Sequence, residues 1–207
     1  MATLFCGNQL IGGVEMHPQI ERRERSSVAF LLALSGDARL QTPSGEWTVG
    51  ANDLLVVTDL RSVVLHDASA DWCVEYVAAP VEFWENLRIR VEQSPTTGEA
   101  PARSAADPGS RSPEEDAVAA RELLAGWGCA ECELLRLSNV ETNRLYDDLL
   151  RISERSQESK NPYQNDVLAA LCRVLVYDVL TLRAAQHSAT DRSARTVKRF
   201  YDLLESG

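Results

Sequence analysis

Between residues 26 and 79, short apolar runs alternate with clusters of turn-forming residues. The runs occupy 28–34, 38–41, 46–49, 54–57, 63–65 and 72–77, lengths that suit strands and are too short for ordinary helices. The breaks are Ser35-Gly36-Asp37, Pro43-Ser44-Gly45, Gly50-Ala51-Asn52-Asp53, Thr58-Asp59 and residues 67–71. Each is rich in residues that accept turn dihedrals or hydrogen-bond their own backbone. A strand and a turn in about ten residues predicts a sandwich or a barrel. In 72–77 the alternation sets Trp72, Val74 and Tyr76 on one face and Cys73, Glu75 and Val77 on the other, and either face suits a cavity. The run 28–34 does not alternate, which fits a strand buried on both sides or a short core helix.

Farther along, the period changes from two to 3.6. Residues 93–113 turn to Pro, Ser, Ala, Thr and Gly with almost no large apolar side chains, and no core can form there. Ser112, Pro113 and Glu115 then supply a cap, a first helical position and a capping-box partner, with a stop expected near Gly126 or Gly128. A second helix opens at Ser138 with Glu141 and carries Leu145, Leu149 and Ile152. A third opens at Asn161-Pro162 with a broad apolar face that includes Val167, Leu168, Leu171, Val174, Leu175, Val179 and Leu182. These two predict an antiparallel hairpin with surplus apolar surface, for which self-association is a natural outlet. A last helical signal, residues 193–205, carries Val197, Phe200, Tyr201 and Leu204. The organisation expected is a barrel over 1–91, a flexible linker over 92–113 and a helical region over 114–207.

Charge and composition narrow the function classes. The net charge of −10 is evenly spread, with seven basic against twelve acidic residues in 1–90 and fourteen against nineteen beyond. An acidic surface of this kind opposes phosphate backbones and lacks the polybasic patch that anionic membranes attract. The longest apolar run is 28–34, well under the roughly 18 residues of a transmembrane helix, and no secretory signal is visible at the N-terminus. A cytoplasmic address is expected. Five scattered cysteines in a chain able to build a core read as reduced thiols.

Catalytic motifs are missing. There is no G-x-S-x-G, no G-x-x-x-x-G-K-[ST] and no G-x-G-x-x-G, so no enzyme activity is expected. Glu114-Glu115 and Asp147-Asp148 read as solvated helix faces. A metal site in a barrel needs several imidazoles and a carboxylate converging from neighbouring strands, and this one offers only His66, with His17 and His187 far away in sequence. Cys129-Ala130-Glu131-Cys132 has the spacing of half a zinc site or a redox pair but no second half, and reads as two small, partly buried residues. No metal or cofactor is expected. What remains is a cavity between apolar and aromatic side chains, with Trp47, His66, Trp72, Glu75 and Tyr76 as the candidate ligand-binding residues.

Phe30-Leu31-Leu32-Ala33-Leu34-Ser35-Gly36-Asp37 with Gly45-Glu46-Trp47, then Asn52-Asp53-Leu54-Leu55, the entry Asn161-Pro162-Tyr163-Gln164, and the closing Val197-Lys198-Arg199-Phe200 together resemble the regulatory half of an AraC-type transcription regulator. The resemblance covers 28–90 and 137–207; residues 92–128 match nothing in it. It implies an α+β chain: a cupin-like β-barrel or jelly roll that binds a small-molecule effector, followed by a helical dimerisation region. A homodimer interface is then expected at Val167, Leu168, Leu171, Val174, Leu175 and Leu182. DNA would be reached only through a helix-turn-helix domain that is not in this sequence. The alternatives are a small metal-dependent cupin enzyme and a stand-alone module that dimerises with another regulator.

Overall fold

The six apolar runs of 26–79 all form strands. They are β2 (Ser27–Ser35), β3 (Asp37–Thr42), β4 (Gly45–Gly50), β5 (Asp53–Val57), β6 (Val64–Ala68) and β7 (Cys73–Pro80), preceded by β1 (Phe5–Leu10). After them come α1 (Val81–Asn86), α2 (Pro113–Gly126), β8 (Cys132–Arg136), α3 (Asn139–Ser156) and α4 (Gln164–Glu205). The computed structural model describes residues 5–10, 27–59, 63–87, 89, 113–127, 129–130, 132–158 and 162–205. His17, the linker residues 92–112, the caps expected at Ser112 and Asn161, and the side chains of Glu114 and Glu115 lie outside the described residues.

The strands make two antiparallel sheets, one ordered β1-β7-β2-β5-β8 and one ordered β4-β3-β6. The expected α+β composition holds, but the sheets do not close into a barrel. The central strand β2 explains the run without alternation. Val28, Phe30 and Leu32 enter a core shared with the helices, while Ala29, Leu31 and Ala33 enter a second core between the two sheets. Both faces of the strand are dry, so both carry apolar side chains.

The helical region is not a separate body. Strand β8 pairs with β5 from Asp53↔Arg136 to Val57↔Cys132 and completes the larger sheet from the far side of the predicted linker. Helix α3 starts on the expected capping box: Ser138 Oγ accepts from the Glu141 backbone, and the Glu141 carboxylate accepts from the Ser138 backbone N–H at 2.7 Å. Its Leu145, Leu149 and Ile152 share one core with Phe30 and Val77 of the sheet and with Leu168, Leu175 and Val179 of α4. Gln164 Nε2 donates to the Arg155 and Ser156 carbonyls, both at 3.1 Å, and so satisfies the open C-terminal end of α3 where the hairpin turns. The two helical signals expected at 161–182 and 193–205 are one continuous helix of 42 residues.

Helix α2 and Trp127 pack onto α1 and the larger sheet around a buried tryptophan. Trp84 of α1 is fully buried and meets Phe30, Phe83 and Trp127 edge to face, with ring centroids 5.3, 5.4 and 6.3 Å away. Its Nε1 donates to the Val28 and Ala79 carbonyls at 3.2 and 3.1 Å. Helix α2 adds Ala120 and Leu124 to the same cluster.

Candidate functional site

The layer between the two sheets is lined by the inward faces of both. From the larger sheet come Leu31, Leu55, Val57, Trp72, Val74, Ala78 and Cys132; the smaller contributes Ala38, Leu40 and Val49, with Trp47 and Tyr76 packed at its margin. Gly36 fixes the corner that brings Trp72 in. Its φ of +68° suits glycine, and a Cβ there would collide with Ser69 Oγ and sit 2.7 Å from the Trp72 backbone nitrogen. The turn is further held by the Asp37 backbone N–H donating to Ser69 Oγ at 2.9 Å.

Of the five ligand-binding candidates, this layer unites three: Trp47, Trp72 and Tyr76. Trp47 Nε1 donates to Thr42 Oγ1 at 3.1 Å, so its polar end is satisfied by the protein. Trp72 is 1% exposed and its Nε1 donates to nothing. A buried N–H left without an acceptor costs about 1–3 kcal/mol, and a ligand oxygen or nitrogen placed there would recover it. The buried charged side chains among the described residues, Glu75 and Asp148, lie on the other face of β7 and on α3, outside this layer.

The other two lie elsewhere. The pairing of β3 with β6 shifts between Arg39↔Asp67 and Leu40↔Leu65, which leaves His66 as the extra residue of a bulge, exposed to solvent. Glu75 stands on the opposite face of β7, in register with Leu32 on one side and Asn8 on the other. It is 3% exposed, and burial pushes its carboxyl up to about 7.

The predicted interface residues also divide. Leu175 and Leu168 are buried within the chain, and Leu171 and Leu182 pack partly against the same core. Val174 is 48% exposed and Tyr177, one turn on, 44%. Val167 is half-buried near the start of α4. The leucines already serve the protomer core, and the large apolar side chains that α4 leaves exposed among the described residues are Val174 and Tyr177.

Three polar groupings remain. Cys129 and Cys132 enter different cores, Cys129 beside the helices and Cys132 between the sheets. Burial, with the nearby Glu133 charge, pushes the Cys129 thiol up to about 12, and burial raises Cys132 as well. Among the described residues no three His, Cys, Asp or Glu side chains converge as a metal would require.

The second grouping corrects an expectation. Asp147 is exposed, but Asp148 is only 8% exposed and faces Asp178 of α4. One carboxylate oxygen of each is buried without a partner. Arg144 reaches Asp178 at 2.6 Å and Arg151 stands 3.9 Å from Asp148. Burial first, and Asp178 second, raise the Asp148 pKa against the pull of the arginines. Spacing held the signal, since Asp148 lies three residues after Leu145 and four before Ile152. The Asp148→Asn chain is expected to gain about 1 kcal/mol at neutral pH, because an amide can donate to the unpartnered Asp178 oxygen. That gain should shrink as the pH falls and Asp148 takes up a proton in the folded wild type; urea unfolding at several pH values checks both statements.

The third grouping joins β8 to α4. Arg183 Nε donates to both Glu133 carboxylate oxygens at 2.8 and 3.0 Å, His187 Nε2 lies 3.3 Å from Glu133 Oε1, and Gln186 Nε2 donates to the Arg136 carbonyl at 2.6 Å.

No family model matches the chain, and no curated protein matches it. Solved structures do show a distant likeness. Apo ToxT K231A from Vibrio cholerae strain SCE256 aligns at 10% identity with a TM-score of 0.42, over 86% of this chain and 55% of that one. A second ToxT structure from Vibrio cholerae aligns at 9% identity with a TM-score of 0.32, over 82% of this chain and 53% of that one. The chain thus spans about half the length of the solved chains it matches. No helix among the described residues is long and apolar enough to cross a membrane.

Proposed function

We propose that this chain is the effector-sensing and dimerising region of an AraC-type transcription regulator, acting as a binding module and not as an enzyme. One observation carries the reading: a single apolar core ties the strand-rich half to the α3–α4 hairpin, while Val174 and Tyr177 remain exposed on the outer side of α4. A change among the strands is therefore felt by the helix that two copies would share, and an isologous contact there sets the spacing of two DNA-reading heads. Sequence-specific DNA binding belongs in this proposal to an attached helix-turn-helix domain.

The effector is a small, uncharged, largely apolar molecule with a hydrogen-bond acceptor. It is read by Trp72 Nε1, with Trp47 and Tyr76 beside it. A charged ligand would find no buried opposite charge there, since the buried charged residues among those described, Glu75 and Asp148, lie outside the layer.

The test is a reporter strain in which the chain is fused to a DNA-binding head that is inactive as a monomer. Wild type should control the reporter, and Val174→Asp should reduce that control by at least tenfold without loss of folded protein. Equal reporter output from both would remove α4 from the proposal.

A further inference from the structure

Strand β8 faces two ways. Cys132 and Leu134 point into the layer between the sheets, next to Leu55 and Val57, and the Cys132 thiol contacts Thr42 at the end of β3 and Ser44 in the turn that follows it. Glu133 points to the opposite side, where both of its carboxylate oxygens accept from the single Arg183 Nε–H, His187 makes a further contact, and Gln186 takes the Arg136 carbonyl at the end of the strand. All three α4 side chains fall within 183–187, a little over one turn. Glu133 and Arg183 are 14% and 25% exposed, shielded enough that solvent weakens the pair only in part. The position of β8 in the sheet is thus passed to one place on the long helix, about halfway along it.

We propose that β8 is the coupling element of the chain and that Glu133 is its positioning residue, a clamp that holds the 183–187 turn of α4 in a place set by the packing of Cys132 and Leu134 between the sheets. This rests on the reading that an effector enters that layer. An effector seated beside Cys132 would move the strand by a fraction of its width, and the shielded, charge-assisted Glu133–Arg183 pair would carry the displacement to α4. The clamp lies beyond Tyr177, the last exposed apolar residue of the proposed seam, so it acts on the stretch of helix that continues past the interface.

Hydrogen exchange on the full chain tests this without any effector. Glu133→Gln should speed exchange in peptides spanning 179–188 about tenfold and leave those spanning 164–175 within about twofold. Cys132→Ala, which alters only the inter-sheet side, should change exchange in the same 179–188 segment severalfold, and that change should vanish when Glu133→Gln is also present. The clamp is overturned if Cys132→Ala leaves 179–188 unaltered, or if its effect persists in full in the double variant. Should Glu133→Gln fail to fold, Arg183→Gln replaces it with the same expectations. Because no ligand is added, a chain that binds no effector at all would defeat the functional proposal and leave this result standing.

Discussion

Trp84→Ala should lose about 4–5 kcal/mol of folding stability, the upper end for removal of a buried tryptophan. Trp84 is fully buried, meets three aromatic rings edge to face, and uses its N–H on two carbonyls of neighbouring strands. Its removal opens a cavity where α1, α2 and the larger sheet meet, and edge-to-face ring pairs lose about 0.5–1.5 kcal/mol each beyond the area. Trp72 provides the control. Trp72→Phe should cost under about 1 kcal/mol, because the lost volume is offset by removal of an N–H that has no acceptor. Trp84→Phe should cost about 2–3 kcal/mol, since it deletes a satisfied donor. Urea unfolding of the variants with a common slope checks the order; equal costs for the two phenylalanine variants would show that hydrogen bonding does not separate the two indoles.

Glu75→Gln should stabilise the chain by about 3 kcal/mol at pH 8 and by almost nothing at pH 4. The carboxyl is held at about 7 by burial alone, against an ordinary value of 4.5. Below the ordinary value it is protonated in both the folded and unfolded chain. Between 4.5 and about 7 the unfolded chain releases a proton that the folded chain keeps, so stability falls as pH rises, and above about 7 the full cost of a buried carboxylate is present. For a chain of this size the difference amounts to a rise in Tm of about 6–12 °C at pH 8. Thermal unfolding of both chains from pH 4 to pH 8 measures it. A difference that does not change with pH would mean that Glu75 ionises at its ordinary value in the folded chain.

The strands of 26–79 were legible because turn residues punctuate them and because each places its apolar side chains where the two cores need them. Elements with little local signal were not. Strand β1 carries Gly7, Asn8 and Gln9 and draws its stability from pairing with β7 at the sheet edge. Strand β8 is five residues between two helices, and its partner β5 lies some eighty residues earlier, a distance that no local pattern spans. The continuity of α4 was readable in retrospect, since 164–205 contains neither Gly nor Pro.

The candidate site was legible in part for the same reason. Alternation along 72–77 grouped Trp72 with Tyr76 and separated Glu75, as the structure does. It did not show which face was which, and it gave no warning of the bulge that turns His66 to solvent. Glu133 lies fifty or more positions before Arg183 and His187 and meets them only through the tertiary fold.

Sedimentation equilibrium at micromolar concentration tests the central claim most directly, with wild type beside Val174→Asp. The proposal predicts a wild-type dimer and a folded Val174→Asp monomer with an unchanged circular dichroism spectrum. Leu175→Asp cannot serve as the test, because it places a carboxylate in a fully buried position and should prevent folding. A wild-type chain that remains monomeric across the whole concentration range would contradict dimerisation through α4 and the regulatory reading built upon it.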